Sequence, residues 1–300
     1  MPVLSHLVRS SYHVAAVYTR PDKGAGRGRQ LGSSPVKKLA LQQGIPIIQP
    51  RTLKSAEVVK ELASLGPDLV AVAAFGYILP GELLSVPKSG CLNVHPSLLP
   101  RHRGASPIAD TILSGDAVTG VSIILMDEGM DSGPILARRK VDISPEDTTG
   151  SLTGRLGVEG AELLLEVLPK WFAGALEPRA QDEGEATYSR LVTTEDGELE
   201  WQLAAVELWR RVRAFNPWPS CYTWWKGRRL KIHGATALGE KARGQVGRVV
   251  ALPEPAPVRV GVVAGQGILG LCRVQLEGKR EISIDEFVRG QRDFVGSVLG

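Results

Sequence analysis

Apolar runs and amphipathic stretches alternate along the first 176 residues. The clearest run is Leu69-Val70-Ala71-Val72-Ala73-Ala74. Similar runs at 13–19, 46–49, 90–95, 118–126 and 135–141 read as strands, unbroken by polar positions because both faces of their sheet are covered. Helical periodicity falls between or after them at 35–43, 55–65, 106–113 and 148–173. This alternation predicts an α/β fold, a Rossmann-like domain with a parallel sheet and crossover helices. Residues 177–200 turn polar and acidic and read as a linker. After one more helix at 203–215, short β-rich segments follow at 221–225, 229–233, 247–252, 258–263 and 268–275, punctuated by Gly and Pro. They predict a small C-terminal β-barrel, OB-like, over 201–300.

Composition changes this picture little. Three hundred residues at 43% hydrophobic suffice for two domains with sizeable cores. Cys91, Cys221 and Cys272 are odd in number and lack C-x-x-C spacing, which argues against a disulfide framework or a cysteine zinc site. No stretch approaches the roughly 18 unbroken apolar residues of a membrane span, and no basic leader precedes an apolar run at the N-terminus. A cytoplasmic monomer with no membrane partner is expected.

Charge adds more. The net charge is only +4, yet residues 1–51 hold eight Lys and Arg against one Asp, and residues 201–300 hold sixteen against eight acidic groups. Two basic ends about an acidic middle suit a polyanionic partner gripped at two places. A solvated surface with chance asymmetry would look the same.

Candidate chemistry sits in two segments. The first is Asn93-Val94-His95-Pro96-Ser97-Leu98-Leu99-Pro100-Arg101-His102-Arg103-Gly104, and the second is Met126-Asp127-Glu128-Gly129-Met130-Asp131-Ser132-Gly133-Pro134. Asn93 and His95 are two apart at a strand end, so both side chains project to one face. An amide and an imidazole N–H aimed at one point would stabilise an oxyanion, and histidine moves protons near neutral pH. A lone histidine there is more often structural. The carboxylates of Asp127, Glu128 and Asp131 could relay a proton with His95. As a calcium loop the second segment fails, because Gly129 stands at the second ligand and Ser132 at the required glycine. A transition metal would lack a second nitrogen ligand, so no metal is expected. A solvated turn remains open.

These segments together resemble the folate-dependent formyltransferases. The N-x-H pair, the Ser97-Leu98-Leu99-Pro100 stretch that follows it and the Asp131 turn match that family's pattern, with Met130 where Leu is usual. The resemblance implies Asn93, His95 and Asp131 as catalytic residues. It implies a folate site formed by Ser97, Leu98, Leu99, Pro100, Tyr77 and Ile78, the last two within Ala74-Phe75-Gly76-Tyr77-Ile78-Leu79-Pro80. The segment Thr19-Arg20-Pro21-Asp22-Lys23-Gly24-Ala25-Gly26-Arg27-Gly28-Arg29 is similar to the basic loop of the tRNA-directed members, which makes Lys23, Arg27 and Arg29 the expected tRNA contacts. Read as a dinucleotide loop it has the wrong glycine spacing. Arg213-Ala214-Phe215-Asn216-Pro217-Trp218-Pro219 is similar to the opening of the family's C-terminal domain.

The implied reaction is direct transfer of a formyl group from 10-formyltetrahydrofolate to the α-amine of the amino acid on a charged initiator tRNA, for translation initiation. An amino-sugar N-formyltransferase and a non-catalytic tRNA-binding chain are the alternatives. One departure stands out. The family begins with a hydrophobic strand and a Gly-Thr-Pro turn before the helix that residues 2–8 continue, and here both are absent. A missing central strand, from a misassigned start, is the expectation.

Overall fold

The computed structural model describes residues 1–25, 30–239 and 244–300. It divides into two compact units, one of Met1–Pro107, Val118–Asp142 and Thr153–Arg190, the other of Ile108–Ala117, Ile143–Leu152 and Leu191–Gly300. The segment 177–200, expected as a linker, is shared between them up to and after Arg190.

The first unit is α/β, but its sheet corrects the all-parallel expectation. Its four strands run in the order Val70–Val72, Cys91–His95, Val118–Leu125, Ile135–Asp142. Only the first pair is parallel, while Val118–Leu125 is antiparallel to both neighbours. The connection 126–134 is shorter than the dozen or more residues a parallel crossover needs, so it can only close a hairpin. Val118–Leu125 is buried continuously from Thr119 to Ile124. The helix Thr149–Phe172 approaches this sheet closely through Gly160, where a Cβ would meet Val94 at 2.5 Å and Val121 at 3.1 Å.

A separate parallel pair joins Val17–Tyr18 to Ile47–Ile48. Among the described residues Val70–Val72 is hydrogen-bonded on one side only. Its side chains are half-buried and Ala73 and Ala74 beyond it are exposed, so full cover of both faces fails at this edge.

The second unit carries an antiparallel sheet in the order Cys221–Trp225, Arg228–Leu238, Ile268–Leu276, Val260–Val263, Val249–Ala251, with Ile282–Ser283 added on Ile268–Leu276. Register shifts on either side of Gly234 mark a bulge in the longest strand, Arg228–Leu238. The helix Ala205–Ala214 buries Ala205, Leu208 and Val212, spaced to share one face. Trp225, Phe287 and Phe294 meet edge to face, with ring centroids 4.9 to 5.7 Å apart. The sixth strand and the helix Ile284–Gly290 go beyond the elements read from sequence.

Candidate active site

The strand Cys91–His95 delivers its two polar side chains to one face, as their spacing requires. His95 is 3% exposed and Asn93 is half-buried. The second segment arrives by a less obvious route. Leu125 pairs with Leu92 and Met126 N–H donates to the Cys91 carbonyl at 2.8 Å, so the chain leaves the sheet at the beginning of the Asn93 strand. It then doubles back along that strand to reach Asn93 and His95.

The turn itself sorts the three candidate carboxylates. Asp127 braces it: its Oδ1 accepts from the Gly129 N–H at 3.0 Å and from the Ser132 hydroxyl at 2.9 Å. Glu128 lies exposed beside Gly81. Asp131 alone enters the site, in the left-handed region at φ 52°. Gly133 is required next to it, since a Cβ there would collide with the Leu125 carbonyl.

Asp131 gathers the catalytic candidates. Its Oδ1 accepts from the Asn93 amide at 3.2 Å and lies 3.5 Å from His95 Nδ1, while Oδ2 accepts from the Gly104 N–H at 2.9 Å. Burial pushes its carboxyl pKa up, but the hydrogen bond and charge of His95, the Gly104 N–H and the Asn93 amide outweigh this and hold it below the ordinary aspartate value. The group is therefore an anion at neutral pH. On the other side of the imidazole, His95 Nε2 lies 3.0 Å from the His102 carbonyl.

The residues expected at the folate site divide in two. Ser97 and Leu99 are fully buried. The Ser97 hydroxyl donates to the Arg101 carbonyl at 2.7 Å, and the buried Ser122 hydroxyl donates to the Ser97 carbonyl at 2.7 Å while accepting from the Leu99 N–H at 3.0 Å. Leu98 and Pro100 are partly exposed and help line a cavity of 990 Å³ with Ile135, Arg138, Arg179 and Gln181. That cavity is not lined by Asn93, His95 or Asp131. Tyr77 and Ile78 follow the strand Val70–Val72, whose Val72 is paired with Asn93. The Arg20 guanidinium sits 4.8 Å over the Tyr77 ring and donates from Nε to the Phe75 carbonyl at 3.0 Å, and Ile78 is 76% exposed.

Among the expected tRNA contacts, Lys23 opens the short strand Lys23–Ala25 with its side chain outside the described part, and Arg27 and Arg29 lie outside the described residues. Among the described residues no group of three or more His, Cys, Asp or Glu could hold a metal ion, and no helix is long and apolar enough to cross a membrane.

One part of the site escaped the sequence reading. Arg103 is 1% exposed, and Tyr188–Ser189 from the expected linker pairs in parallel with Arg103–Gly104. Gln181, Glu183 and Tyr188 supply acceptors to its guanidinium. The available signal was an arginine followed some eighty positions on by a polar stretch holding Gln181, Glu183 and Tyr188.

Two family models match the chain: formyl transferase over residues 3–168, and the formyl transferase C-terminal domain over 191–292. Relatives include the methionyl-tRNA formyltransferases of Dehalococcoides mccartyi strain CBDB1, 46% identical over 299 residues (99% of this chain, 94% of that protein), and Methylococcus capsulatus, 43% identical over 300 residues (100% and 96%). Among solved structures, an N-formyltransferase from Helicobacter canadensis in complex with folinic acid and dTDP-3-aminofucose superposes with TM-score 0.63 at 16% identity, covering 90% of this chain and 94% of that one. HypX from Aquifex aeolicus in complex with tetrahydrofolic acid gives 0.59 at 18% identity, covering 86% and 44%. At these identities the structures speak for the fold.

Proposed function

The chain belongs to the formyl transferase family, among the methionyl-tRNA formyltransferases, and on that premise we propose that Asn93, His95 and Asp131 carry the transfer of a formyl group to the α-amine of methionyl-tRNA. The convergence of the Asn93 amide and the His95 ring on one oxygen of Asp131 supports this reading above all else.

The donor is 10-formyltetrahydrofolate, taken as a co-substrate. Tyr77 and Ile78, which follow the strand paired with Asn93, offer the aromatic and apolar surface that a flat heteroaromatic ring requires, and Leu98 and Pro100 add apolar surface on the loop after His95. Ser97 and Leu99 act from within, by holding the loop's shape.

The amine attacks the formyl carbon and the carbonyl oxygen gathers negative charge. Asn93 and His95 are the donors that meet it, and removing one such donor typically costs about 10²- to 10³-fold in rate. The amine must then lose a proton and the departing folate nitrogen must gain one. His95 carries that proton, and the Asp131 anion, a weak base, orients the ring and stabilises its charged form. A free α-amine titrates near about 7.7 to 8.0 and esterification lowers this, so a neutral nucleophile is available without a strong base. Asn93 and Asp131 are tied to each other and to the main chain of Gly104 by hydrogen bonds, which lets positioning carry much of the acceleration.

Charged initiator tRNA is gripped by Lys23, Arg27 and Arg29 and by the basic second unit, whose antiparallel sheet serves as an OB-like platform. In this reading the catalytic domain of 1–176 is completed by residues 177–190, which hold Arg103, the tRNA-binding domain is 201–300, and the protein works as a cytoplasmic monomer.

The test is transfer from 10-formyltetrahydrofolate to methionyl-tRNA and, in parallel, to a nucleotide-linked amino sugar. Product on the tRNA alone is expected. Product on the sugar alone, or tRNA binding without product, overturns the reading.

A further inference from the structure

The guanidinium of Arg103 has five N–H donors, and all five find acceptors. Nε and Nη2 donate to Gln181 Oε1 at 3.1 and 2.9 Å, Nη2 and Nη1 donate to the two Glu183 carboxylate oxygens at 2.8 and 2.9 Å, and Nη1 also donates to the Tyr188 hydroxyl at 3.0 Å. A guanidinium so satisfied is held in one orientation.

Gln181 turns that fixed point into a constraint on the site. Its carbonyl oxygen is committed to Arg103, so its amide nitrogen faces the other way. That nitrogen donates to the Asp131 carbonyl and to the Gly133 carbonyl, both at 2.7 Å. The two carbonyls flank the turn in which Asp131 takes a left-handed conformation, which an L-residue adopts at a cost that its surroundings must offset. The circuit closes through Gly104, the neighbour of Arg103, whose N–H holds the Asp131 carboxylate at 2.9 Å.

The segment carrying Gln181 is anchored on either side of that residue, once beside Arg103 and once beside the turn. Arg179 and Ile135 exchange main-chain hydrogen bonds of 2.7 and 2.9 Å just after it. The Thr187 carbonyl and hydroxyl accept from the Arg103 and His102 N–H groups, each at 2.8 Å. Gln181 lies between these anchors in a segment that cannot slide.

We propose that Gln181, locked by the buried Arg103, is a positioning residue for the formyl transfer, fixing the main chain of Asp131 so that its carboxylate meets Asn93 and His95. The inference rests on the assignment of Asp131 to the reacting centre. Gln181 reaches the site through the main chain of the Asp131 turn. It acts through the aspartate alone, and so it governs the chemical step rather than the binding of either substrate.

Gln181→Glu separates this role from simple stability. The carboxylate keeps and strengthens the partnership with Arg103, while both donors to the Asp131 and Gly133 carbonyls are lost. The expected result is a fall in kcat of about 10- to 100-fold, as displacement by about an ångström produces, with KM for methionyl-tRNA and for 10-formyltetrahydrofolate within about twofold of wild type. In the Asp131→Asn background the same change should have little further effect, since residues acting as a unit are not additive. Wild-type kcat in Gln181→Glu alongside an impaired Asp131→Asn overturns the proposal and leaves the site assignment standing. Independent, multiplicative losses overturn it too, because Gln181 then acts elsewhere. Near-normal activity in Asp131→Asn removes the premise and the proposal together. If Gln181→Glu does not fold, Gln181→Met, of similar length and without donors, is read by the same comparison.

Discussion

His95 Nε2 points at the main-chain carbonyl of His102, 3.0 Å away. A carbonyl can only accept, so Nε2 is the donor in this contact. Nδ1 faces the Asp131 carboxylate at 3.5 Å, an acceptor as well, so the ring is held by both nitrogens.

The role of the ring is tested kinetically. His95→Ala should lower kcat by about 10²- to 10³-fold with much smaller effects on substrate binding. Near-normal kcat in the variant contradicts the role proposed for this residue.

The electrostatics of Asp131 set an acid limit. Its folded-state pKa is lowered by His95, Gly104 and Asn93 against the opposing effect of burial, while the unfolded chain titrates near about 3.9. A depressed carboxyl contributes stability that is fully present above the unfolded pKa and lost as pH falls through the folded one. The difference in melting temperature between wild type and Asp131→Asn should thus be constant from pH 7 down to about 4 and change in the acid range below. A difference that changes between pH 5 and 7 instead would assign the dependence to another group.

Ser122 is the hidden support of the loop 97–100, proposed above as part of the folate site. Ser122→Ala orphans the Leu99 N–H and the Ser97 carbonyl together, and should cost about 1 to 3 kcal/mol in denaturant unfolding. It should also raise KM for the folate co-substrate more than KM for the tRNA. Unchanged stability would mean that the loop holds its shape without this bridge.

The basic loop is tested by salt. Arg27→Ala should weaken tRNA binding and flatten its log-log salt dependence by roughly one unit, leaving folate affinity unchanged. An unaltered slope with impaired folate binding would place the loop on the co-substrate's side.

Legibility from sequence varied with the range of the forces involved. The Asn93 and His95 pair could be read because two-residue periodicity along a strand is local geometry. Strand direction could not, because an apolar run looks alike in either sense; only the short connection 126–134 betrays the hairpin. The three neighbouring carboxylates were equivalent on paper and became distinct once Asp127 was consumed by its own turn and Asp131 faced inward. Residues 177–190 looked like a tether since they are polar. Their polar groups are instead spent on Arg103 and on the main chain around it, partners some eighty positions away.

The placement of Tyr188–Ser189 beside Arg103–Gly104 also decides where this molecule can be cut and rejoined. A chimera that exchanges the C-terminal half at residue 176, where composition changes, would carry off the acceptors of a buried guanidinium and the strand that flanks Gly104. The same exchange made after Arg190 retains them. As far as Arg103 is concerned, the junction belongs fourteen residues later than the change in composition suggests, and a recombinant protein built with the earlier junction inherits a donor's strap that must fit a foreign arginine.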